Sequence, residues 1–368
     1  MRLDRPRFIG SEIYRRSSYG GRHPLAIPRV SAAIDLARAL GHLTDAAYVD
    51  SPVATPEQLT RFHAPDYVGA LQRAEATRKV SDADRERHNI GRNGNPVFPE
   101  IFRRPATACG GTLRAVELVA AGGLVYTPAG GTHHGRRDRA SGFCYFNDPV
   151  LGILALLDRS IAPIAYVDLD AHHGDGVEDA FADDERVLTI SVHERGRWPG
   201  TGRLEDRAGG RARNLPVPEG LNDSELDHLV EAAIAPLVAA HAPAALMIQG
   251  GADALADDPQ SRLELSNRAL WRAIDRLRHL APRVIVLGGG GYNPWSVARC
   301  WAGVWATLSG ADVEAPLPDA AERVLRDLAW NHSRGRNPPE HWFTTLADAP
   351  RPGPVRPEIV EMARAVLR

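Results

Sequence analysis

The chain has 368 residues and a formal net charge of −2, and 43% of its residues are hydrophobic and 24% charged, as in an ordinary globular protein. The balanced charge argues against nucleic-acid binding, which needs a basic face, and no run of about 20 apolar residues predicts a membrane span. Three dispersed cysteines (Cys109, Cys144 and Cys300) argue against a disulfide framework or a thiolate zinc site. The charged N-terminus lacks the apolar region of a signal peptide, so we expect a cytoplasmic enzyme or binding protein.

Short apolar runs alternate with helical patterns over much of the chain. The runs are continuously apolar, which is typical of strands buried on both faces of a parallel sheet. In chain order we predict a helix at 106–121, a strand at 123–127, a helix at about 148–158, strands at 164–169 and 187–193, a helix at 222–241, a strand at 244–250, a helix at 263–280 and a strand at 283–289. This alternation predicts a doubly wound α/β sheet.

Prolines near the N-terminus (Pro28, Pro52 and Pro56) and a Pro/Arg-rich stretch at 350–356 indicate irregular terminal segments, although the length alone would suggest two domains. Polar clusters follow four of the predicted strands, and the carboxyl ends of strands are where open α/β sheets bind ligands. We therefore expect these clusters to meet in one pocket. They are His133–His134, Asp168–Asp175, Gly251–Asp253 and Gly288–Tyr292.

The densest cluster is the segment DLDAHHGD, from Asp168 to Asp175. Any one of its acids or histidines could be a helix cap or a loop hydrogen-bonding residue, but burying so many ionisable groups is costly unless they pair or bind a metal. Residues two apart in an extended segment face the same side, so Asp170 and His172 can ligate one zinc or other divalent ion, with Asp168 further back. Asp253 is the candidate third ligand, with an Asx-turn or helix cap as the alternative.

Two further clusters supply catalytic side chains. His133 and His134 lie among glycines after a predicted strand and form a candidate acid–base pair, unless they are plain surface residues; Asp168 and Asp175 are available to orient them. Four consecutive glycines precede Tyr292 and could form only a flexible turn. On such a loop a tyrosine can also donate a hydrogen bond to a developing oxyanion. A metal, a base and an oxyanion donor together indicate metal-assisted hydrolysis.

In this order along the chain, the segments THHG…DRASGFCYFND, YVDLDAHHGDGVEDAF, SVH…WPGTG, QGGADALADDP and GGGGYNPWSVARCW resemble the zinc-dependent histone deacetylase family, including its bacterial acetoin-utilisation and acetylpolyamine amidohydrolase branches. The resemblance covers about residues 19–310. It implies a single arginase-like α/β domain over 1–368, with a central parallel sheet of about eight strands and helices on both faces. The tail, about 311–368, would pack on this domain.

The resemblance also implies a division of catalytic roles. His134 matches the general base and acid, with Asp175 as its carboxylate partner. His133 matches an electrostatic histidine, with Asp168 as its partner, and Tyr292 matches the tyrosine that stabilises the oxyanion. The residues that match the zinc ligands are Asp170, His172 and Asp253.

Substrate and potassium sites are implied in the same way. Gly142 and Phe143 match the walls of an acyl-lysine tunnel, and Trp198 stands where the family has the opposite aromatic residue. Gln260 lies beside the pocket, and Arg29 is similar to an arginine that lines a product-release channel. The residues that match a structural K⁺ site are Asp168, Asp170, His172, Ser191 and Val192.

Three positions at the pocket rim depart from the family pattern. Gly94 stands where members that act on proteins place an acidic residue to hold the substrate backbone. Gln260 replaces an apolar residue, and Trp198 is bulkier than the usual phenylalanine. We therefore expect hydrolysis of an N-acyl, for instance acetyl, amide of a small-molecule or unusual acyl-amine substrate, releasing a carboxylate and an amine.

Several alternatives stay open at this point. The chain could act on acetyl-lysine in proteins, or bind acyl amines without catalysis. A ureohydrolase of the same fold would need a two-metal site with more bridging carboxylates. The same ligands accept Fe²⁺ as well as Zn²⁺. The sequence does not decide whether the chain forms a homo-oligomer.

Overall fold

One parallel sheet of eight strands organises the chain, for which a computed structural model describes residue 3 and residues 5–368. Residues 1, 2 and 4 of the predicted domain and of its charged N-terminus lie outside the described residues. The strand order across the sheet is β2-β1-β3-β8-β7-β4-β5-β6. The strands are β1 (Arg7–Gly10), β2 (Tyr48–Asp50), β3 (Gly123–Thr127), β4 (Ile164–Asp168), β5 (Val187–Glu194), β6 (Ala212–Val217), β7 (Ala245–Gln249) and β8 (Arg283–Leu287).

Helices connect the strands and cover both faces of the sheet. They are α1 (Ile13–Arg16), α2 (Val30–Ala39), α3 (Pro56–Leu59), α4 (Pro65–Thr77), α5 (Asp82–His88), α6 (Arg103–Val119), α7 (Asp148–Asp158), α8 (Asp175–Ala180), α9 (Asp223–Leu229), α10 (Ala235–His241), α11 (Asn267–Leu277), α12 (Pro294–Ser309), α13 (Asp319–Arg326), α14 (His341–Thr344) and α15 (Pro357–Val366). None of the helices in the described part of the chain combines the length and the apolar character needed to cross a membrane.

Successive side chains of each central strand pack against helices on opposite faces of the sheet. Val284 and Val286 of β8 pack in the cluster that contains α2, α11 and α12, whereas Ile285 and Leu287 pack against α6 and α7. Successive side chains of a strand point to opposite faces, so a strand covered on both sides must be apolar throughout. The prediction of a single α/β domain with a parallel sheet of about eight strands and helices on both faces is confirmed.

The five predicted strands are present with ends that differ by no more than two residues, but three strands were missed. The prediction of an irregular N-terminal segment is wrong for β1 and β2. These strands pair with each other, and β1 also pairs with β3. The third, β6, is an edge strand with the sequence ARNLPV. All three are short or polar, so they lack the long apolar run from which the other strands are recognised.

Two predicted helices differ in detail from the structure. The stretch 222–241 begins as predicted, because Asn222 caps α9 by accepting the Glu225 N–H while the Glu225 side chain accepts the Asn222 N–H. A π-helical segment, Val230–Ile234, then separates α9 from α10. The predicted helix 263–280 is shorter, since Ser266 accepts the Ala269 N–H and caps α11 there.

The residues after 310 dock on one side of the domain: α13 packs on α2 and α14 on α12, whereas α15 packs on α9, the π-helical segment and β6. Ile359, Met362 and Val366 of α15 lie in one apolar cluster with residues of α2, α11 and α12. The guanidinium of Arg299, which is fully buried in α12, lies 2.7 Å from the carboxylate of Asp348 and donates a hydrogen bond to the Thr345 carbonyl. The tail is therefore fixed by a buried charge pair as well as by apolar contacts.

Arg299→Met should lower the free energy of unfolding by about 3 kcal/mol, because it removes one partner of a buried ion pair and leaves Asp348 without its counter-charge. Urea denaturation of the whole chain measures this change. Arg272→Met is the matched control, since its pair with Asp227 is about half exposed and should contribute less than about 1 kcal/mol. Equal losses in the two variants would contradict the assigned role of Arg299.

Candidate functional site

The four predicted polar clusters meet at one edge of the sheet. Strands β3, β8, β7 and β4 are consecutive neighbours, and all of them are parallel, so the loops after their carboxyl ends lie side by side. The sheet order therefore brings together residues as far apart in the sequence as His133 and Tyr292. This topology explains why the clusters lie next to one another, as the sequence predicts.

Asp170, His172 and Asp253 form a triad suited to a metal ion. One ligand atom from each lies within 4.8 Å of the other two. Asp170 and Asp253 are buried, and the Nδ1 atom of His172 lies 3.2 Å from Asp170 Oδ1 and 2.9 Å from Asp253 Oδ2. Two carboxylates and one imidazole are a ligand set that suits a divalent first-row metal with a further position for water or substrate.

The backbone fixes both carboxylates of the triad. The Gly290 N–H donates to Asp170 Oδ2 at 2.6 Å, and the Ala171 N–H donates to Asp253 Oδ1 at 3.0 Å. A Cβ atom at Gly290 would overlap the Asp253 carboxylate. The glycine run after β8 is therefore required for close approach to the triad and is not only a flexible turn.

The charges of the triad show why it fits a cation. The two carboxylates outweigh the effect of burial and raise the pKa of His172 to about 10, so a proton on this ring balances them when no metal is bound. Burial and the neighbouring Asp170 raise the pKa of Asp253 to about 6. A divalent ion in the same place would supply the positive charge and displace the His172 proton, because metal ligands bind in their deprotonated forms.

His133 is held as a cationic side chain. Its Nδ1 atom lies 2.7 Å from Asp168 Oδ2, and Asp168 also accepts a hydrogen bond from the Tyr166 hydroxyl at 2.8 Å. Burial disfavours the charged ring, but Asp168 and Asp170 outweigh burial and raise the pKa of His133 to about 9. His133 therefore contributes a positive charge beside the triad at neutral pH.

His134 has the opposite protonation state. Its Nδ1 atom lies 2.7 Å from Asp175 Oδ1, and Arg136 pairs with the other oxygen of the same carboxylate. Burial and the charged His133 lower the pKa of His134 to about 3 in spite of Asp175. With the Nδ1 proton held by Asp175, the Nε2 atom is left as a proton acceptor.

Tyr292 lies beside the triad on the loop between β8 and α12. Asp258, which is buried, fixes this loop by accepting the Tyr292 N–H at 2.6 Å. Burial, together with Asp253 and Asp170, raises the pKa of Tyr292 well above its usual value. The Tyr292 hydroxyl therefore keeps its proton and can act as a hydrogen-bond donor.

A cavity of about 560 Å³ leads to these groups. Phe143 has a left-handed backbone (φ 66°), and a Cβ atom at Gly142 would overlap both Trp198 and His134. The indole of Trp198 is 50% exposed and packs edge-to-face on His134, with ring centroids 4.6 Å apart. The cavity is lined by the predicted substrate-binding residues Gly142, Phe143, Trp198 and Gln260, together with His134, His172 and Tyr292.

Arg29, the remaining predicted substrate residue, lies on the inner side of the site. It lines a small inner space of about 50 Å³ together with His133, His134 and Asp170. Its guanidinium donates to the carbonyls of Gly289 and Gly291 and stacks on Trp301. The geometry places Arg29 against the glycine run and away from the outer cavity. Its role in product release stays a prediction.

The five predicted potassium residues belong to β5, to the end of β4 and to the loop after β4, which lie side by side. Asp168 pairs in register with Ser191, which precedes Val192. The Asp170 N–H donates to Asp168 Oδ1 at 3.1 Å and the His172 N–H to Asp170 Oδ1 at 3.0 Å, so the chain folds back around these carboxylates. This arrangement is compatible with a bound monovalent cation, and the K⁺ site itself stays a prediction.

Sequence reasoning missed the residues that support the two histidines. His63 accepts the Asn147 N–H at Nε2 and donates from Nδ1 to the Arg136 carbonyl, and the Asn147 side chain donates to the carbonyls of His133 and Gly135. These two residues join three loops through backbone atoms. No residue pattern signals a contact of this kind. Arg136, by contrast, lies directly after the histidine pair and could have been proposed as the partner of an acid.

A buried metal triad beside one neutral and one cationic histidine is the arrangement expected of a metal-assisted hydrolase. Residues 23–308 match the family model described as the histone deacetylase domain, and the chain belongs to this family. As a family member it is a deacetylase, a hydrolase of acetyl amide bonds. The family is generally metal-dependent, in agreement with the triad.

Individual relatives support the same assignment. The chain is 32% identical to the acetoin utilization protein AcuC of Bacillus subtilis, over 96% of this chain and 93% of that protein. It is 33% identical to histone deacetylase 8 of Xenopus tropicalis, over 79% and 80% of the two chains. The crystal structure of an HDAC homolog from Aquifex aeolicus matches with a TM-score of 0.94 at 34% identity, covering 99% of this chain and 100% of that one.

The free energy of unfolding should fall as the pH falls from about 6.5 through 4, because burial lowers the pKa of His63 to about 4. The neutral, buried ring of His63 contributes about 3 kcal/mol to the free energy of unfolding, and this contribution is fully present when the pH lies above the pKa of histidine in the unfolded chain. It is lost as the pH falls through the pKa of His63 in the folded chain. Urea denaturation of the wild type and His63→Gln at several pH values measures it. The difference between the two proteins should shrink towards pH 4, and a constant difference would contradict the assignment.

Proposed function

We propose that the chain is a zinc-dependent deacylase that hydrolyses the acetyl or a related acyl amide of a small amine. The observation that carries the proposal is that a single cavity exposes His172 of the triad, the proton-accepting His134 and the Tyr292 hydroxyl. A carbonyl carbon held there would face a base and an oxyanion donor together. These are the groups that amide hydrolysis needs.

Asp170, His172 and Asp253 would hold the metal ion. The close approach of two buried carboxylates around one imidazole nitrogen supports this choice, since a divalent ion balances both negative charges. We favour Zn²⁺ because a mixed set of carboxylate and imidazole ligands is typical of catalytic zinc, whereas Fe²⁺ is the alternative metal for the same ligands. When bound, the metal would polarise the amide carbonyl and lower the pKa of water.

His134 would carry the proton transfers. Its neutral Nε2 atom would accept the proton of the attacking water, and the Asp175 carboxylate, 2.7 Å from Nδ1, would stabilise the imidazolium that forms. The same proton would then pass to the nitrogen of the leaving amine, so that the acyl group departs as a carboxylate. Asp175 and Arg136 keep the ring oriented through both steps.

Tyr292 and His133 would stabilise the negative charge that develops on the carbonyl oxygen. The Tyr292 hydroxyl keeps its proton and would donate it in a hydrogen bond to that oxygen. His133, held protonated by Asp168, would contribute positive charge without taking part in the proton transfer. The two adjacent histidines therefore have separate roles that follow from their carboxylate partners.

The rim of the cavity favours a small-molecule substrate over a protein tail. A side chain at Gly94 would overlap the Phe143 ring, and the Gly94 backbone is left-handed (φ 78°), so the backbone-binding carboxylate of protein deacetylases would need a strained backbone and a shift of Phe143 here. Gln260 makes one wall polar, and Trp198 covers His134. The match to a structure of an HDAC homolog complexed with SAHA, at a TM-score of 0.94, supports occupation by a small molecule. The K⁺ site and the cytoplasmic location stay predictions, and the oligomeric state stays open.

One equivalent of Zn²⁺ should raise the melting temperature of the metal-free chain, and Asp253→Ala should abolish most of this increase because it removes one of three ligands. Titration at pH 7 should also release about one proton per ion as His172 is deprotonated. Asp257→Asn is the control, since Asp257 lies outside the triad and accepts the Trp342 indole N–H. Binding of two ions per chain, or unchanged binding by Asp253→Ala, would contradict the single triad site.

Tyr292→Phe should lower kcat by roughly a hundredfold or more, with a smaller effect on KM, because the hydroxyl acts on the transition state. The measurement is steady-state release of acetate from a small N-acetyl amine by zinc-loaded enzyme. Tyr126→Phe is the matched control: the Tyr126 hydroxyl is buried and has no hydrogen-bond partner in the described part of the chain. Full activity of Tyr292→Phe would disprove its role, and faster turnover of acetylated peptides would disprove the small-molecule assignment.

A further inference from the structure

A second cavity, of about 730 Å³, opens beside the substrate cavity. The two cavities share Gln260 and Tyr292, so a molecule whose amide lies at the triad can extend past Gln260 into the second cavity. One wall comes from the loop before α2 and the other from residues 329–332 of the tail. Neither Ser18–Arg22 nor 329–332 falls within the stretch 23–308 that matches the family model. The second cavity therefore depends in part on segments outside the stretch that matches the family model.

The charges that line the second cavity are of one sign. Arg22 contributes an exposed guanidinium, and Arg22 has no ion-pair partner among the described residues. The described lining of both cavities contains no aspartate or glutamate. Arg334, which donates to the Asp258 carbonyl, adds a second guanidinium close to Pro259 of the wall. A positive potential in a concave site attracts anions and repels cations.

Two histidines in the second cavity differ in what they can offer to a ligand. His23 uses both ring nitrogens: Nδ1 accepts the Leu25 N–H, and Nε2 donates to the Gly94 carbonyl. The Nδ1 atom of His332 accepts the Arg334 N–H, which leaves the proton on Nε2, and the ring stacks on Trp330 with centroids 4.4 Å apart. His332 therefore keeps a hydrogen-bond donor for a ligand even when it is neutral.

We propose that this second cavity, which we call the anion subsite, binds a carboxylate or phosphate carried on the amine portion of the substrate. The proposal deepens the deacylase function and rests on it. Arg22 supplies the charge, His332 a hydrogen bond, and the Trp330–His332 stack a flat surface against which the connecting chain of the substrate can pack. The substrates of this chain are thus N-acyl amines with an acidic group at the far end, and acylated polyamines are disfavoured.

The test compares amides that differ only at the far end of the amine. The anion is 6-acetamidohexanoate, the neutral analogue is 6-acetamidohexanamide and the cation is N-acetyl-1,6-diaminohexane, with a second set lengthened by two methylenes. For zinc-loaded enzyme at low ionic strength, kcat/KM should favour the anion over the neutral amide by about fivefold, the effect of one exposed charge pair, and should be lowest for the cation. The preference should shrink at about 0.5 M NaCl because salt screens exposed charges.

Substitutions assign the preference to the anion subsite. Arg22→Gln should bring the anion-to-neutral ratio of kcat/KM towards one, and His332→Phe, which keeps a stacking ring, should lower it in part. Arg16→Gln is the matched control, because Arg16 is an exposed arginine six residues away that does not line the cavity. An anion-to-neutral ratio near one in the wild type, or a ratio that Arg22→Gln leaves unchanged, would overturn the proposal.

Failure of the deacylase assignment would look different. In that case none of the three amides would be hydrolysed by metal-loaded enzyme. Calorimetric titration of 6-acetamidohexanoate and 6-acetamidohexanamide into the protein then decides the question. Tighter binding of the anion that is lost in Arg22→Gln would support the subsite, and equal binding of the two amides would overturn it.

Discussion

The carboxylates of Asp168, Asp170 and Asp253 are buried together at the carboxyl ends of the parallel strands, and much of the site follows from the need to balance them. Asp168 is neutralised by His133, and Asp170 and Asp253 share His172. Burial of unpaired carboxylates costs several kcal/mol each, and these three are balanced by histidines and by N–H and O–H donors such as the Gly290 N–H and the Tyr166 hydroxyl. The same arrangement raises the pKa of His133 and lowers that of His134, and this difference is the basis of the separate roles proposed for the two histidines.

The parallel sheet and the clusters of polar residues at the site could be predicted from the sequence because each leaves a local pattern. The central strands are apolar on both faces, and His133, Asp170, Asp253 and Tyr292 each follow one of them. The edge strands β1, β2 and β6 leave no such pattern, because they are short or carry polar residues. The supports of the site were missed for a related reason: His63 acts through backbone atoms of loops that are distant in sequence.

The glycines at the site are a second example of a constraint that the sequence does not show. In the sequence, the run before Tyr292 could be read as a flexible turn. In the structure, the carboxylates of Asp170 and Asp253 occupy the space that a side chain at Gly290 would need. Gly94 carries a comparable constraint at the rim, where Phe143 fills the place of a side chain. Both positions owe their identity to a neighbour in space, which no local pattern reveals.

The strand order has a consequence for how the chain is made. Strand β8 is among the last to leave the ribosome, yet it lies between β3 and β7 and separates them. Until β8 is synthesised, β3 and β7 each present an unpaired apolar edge, the kind of surface that promotes aggregation and recruits chaperones. The metal triad itself needs Asp253, and the glycine run that fixes it follows β8. The nascent chain therefore gains its site in one late step, after most of its length has emerged.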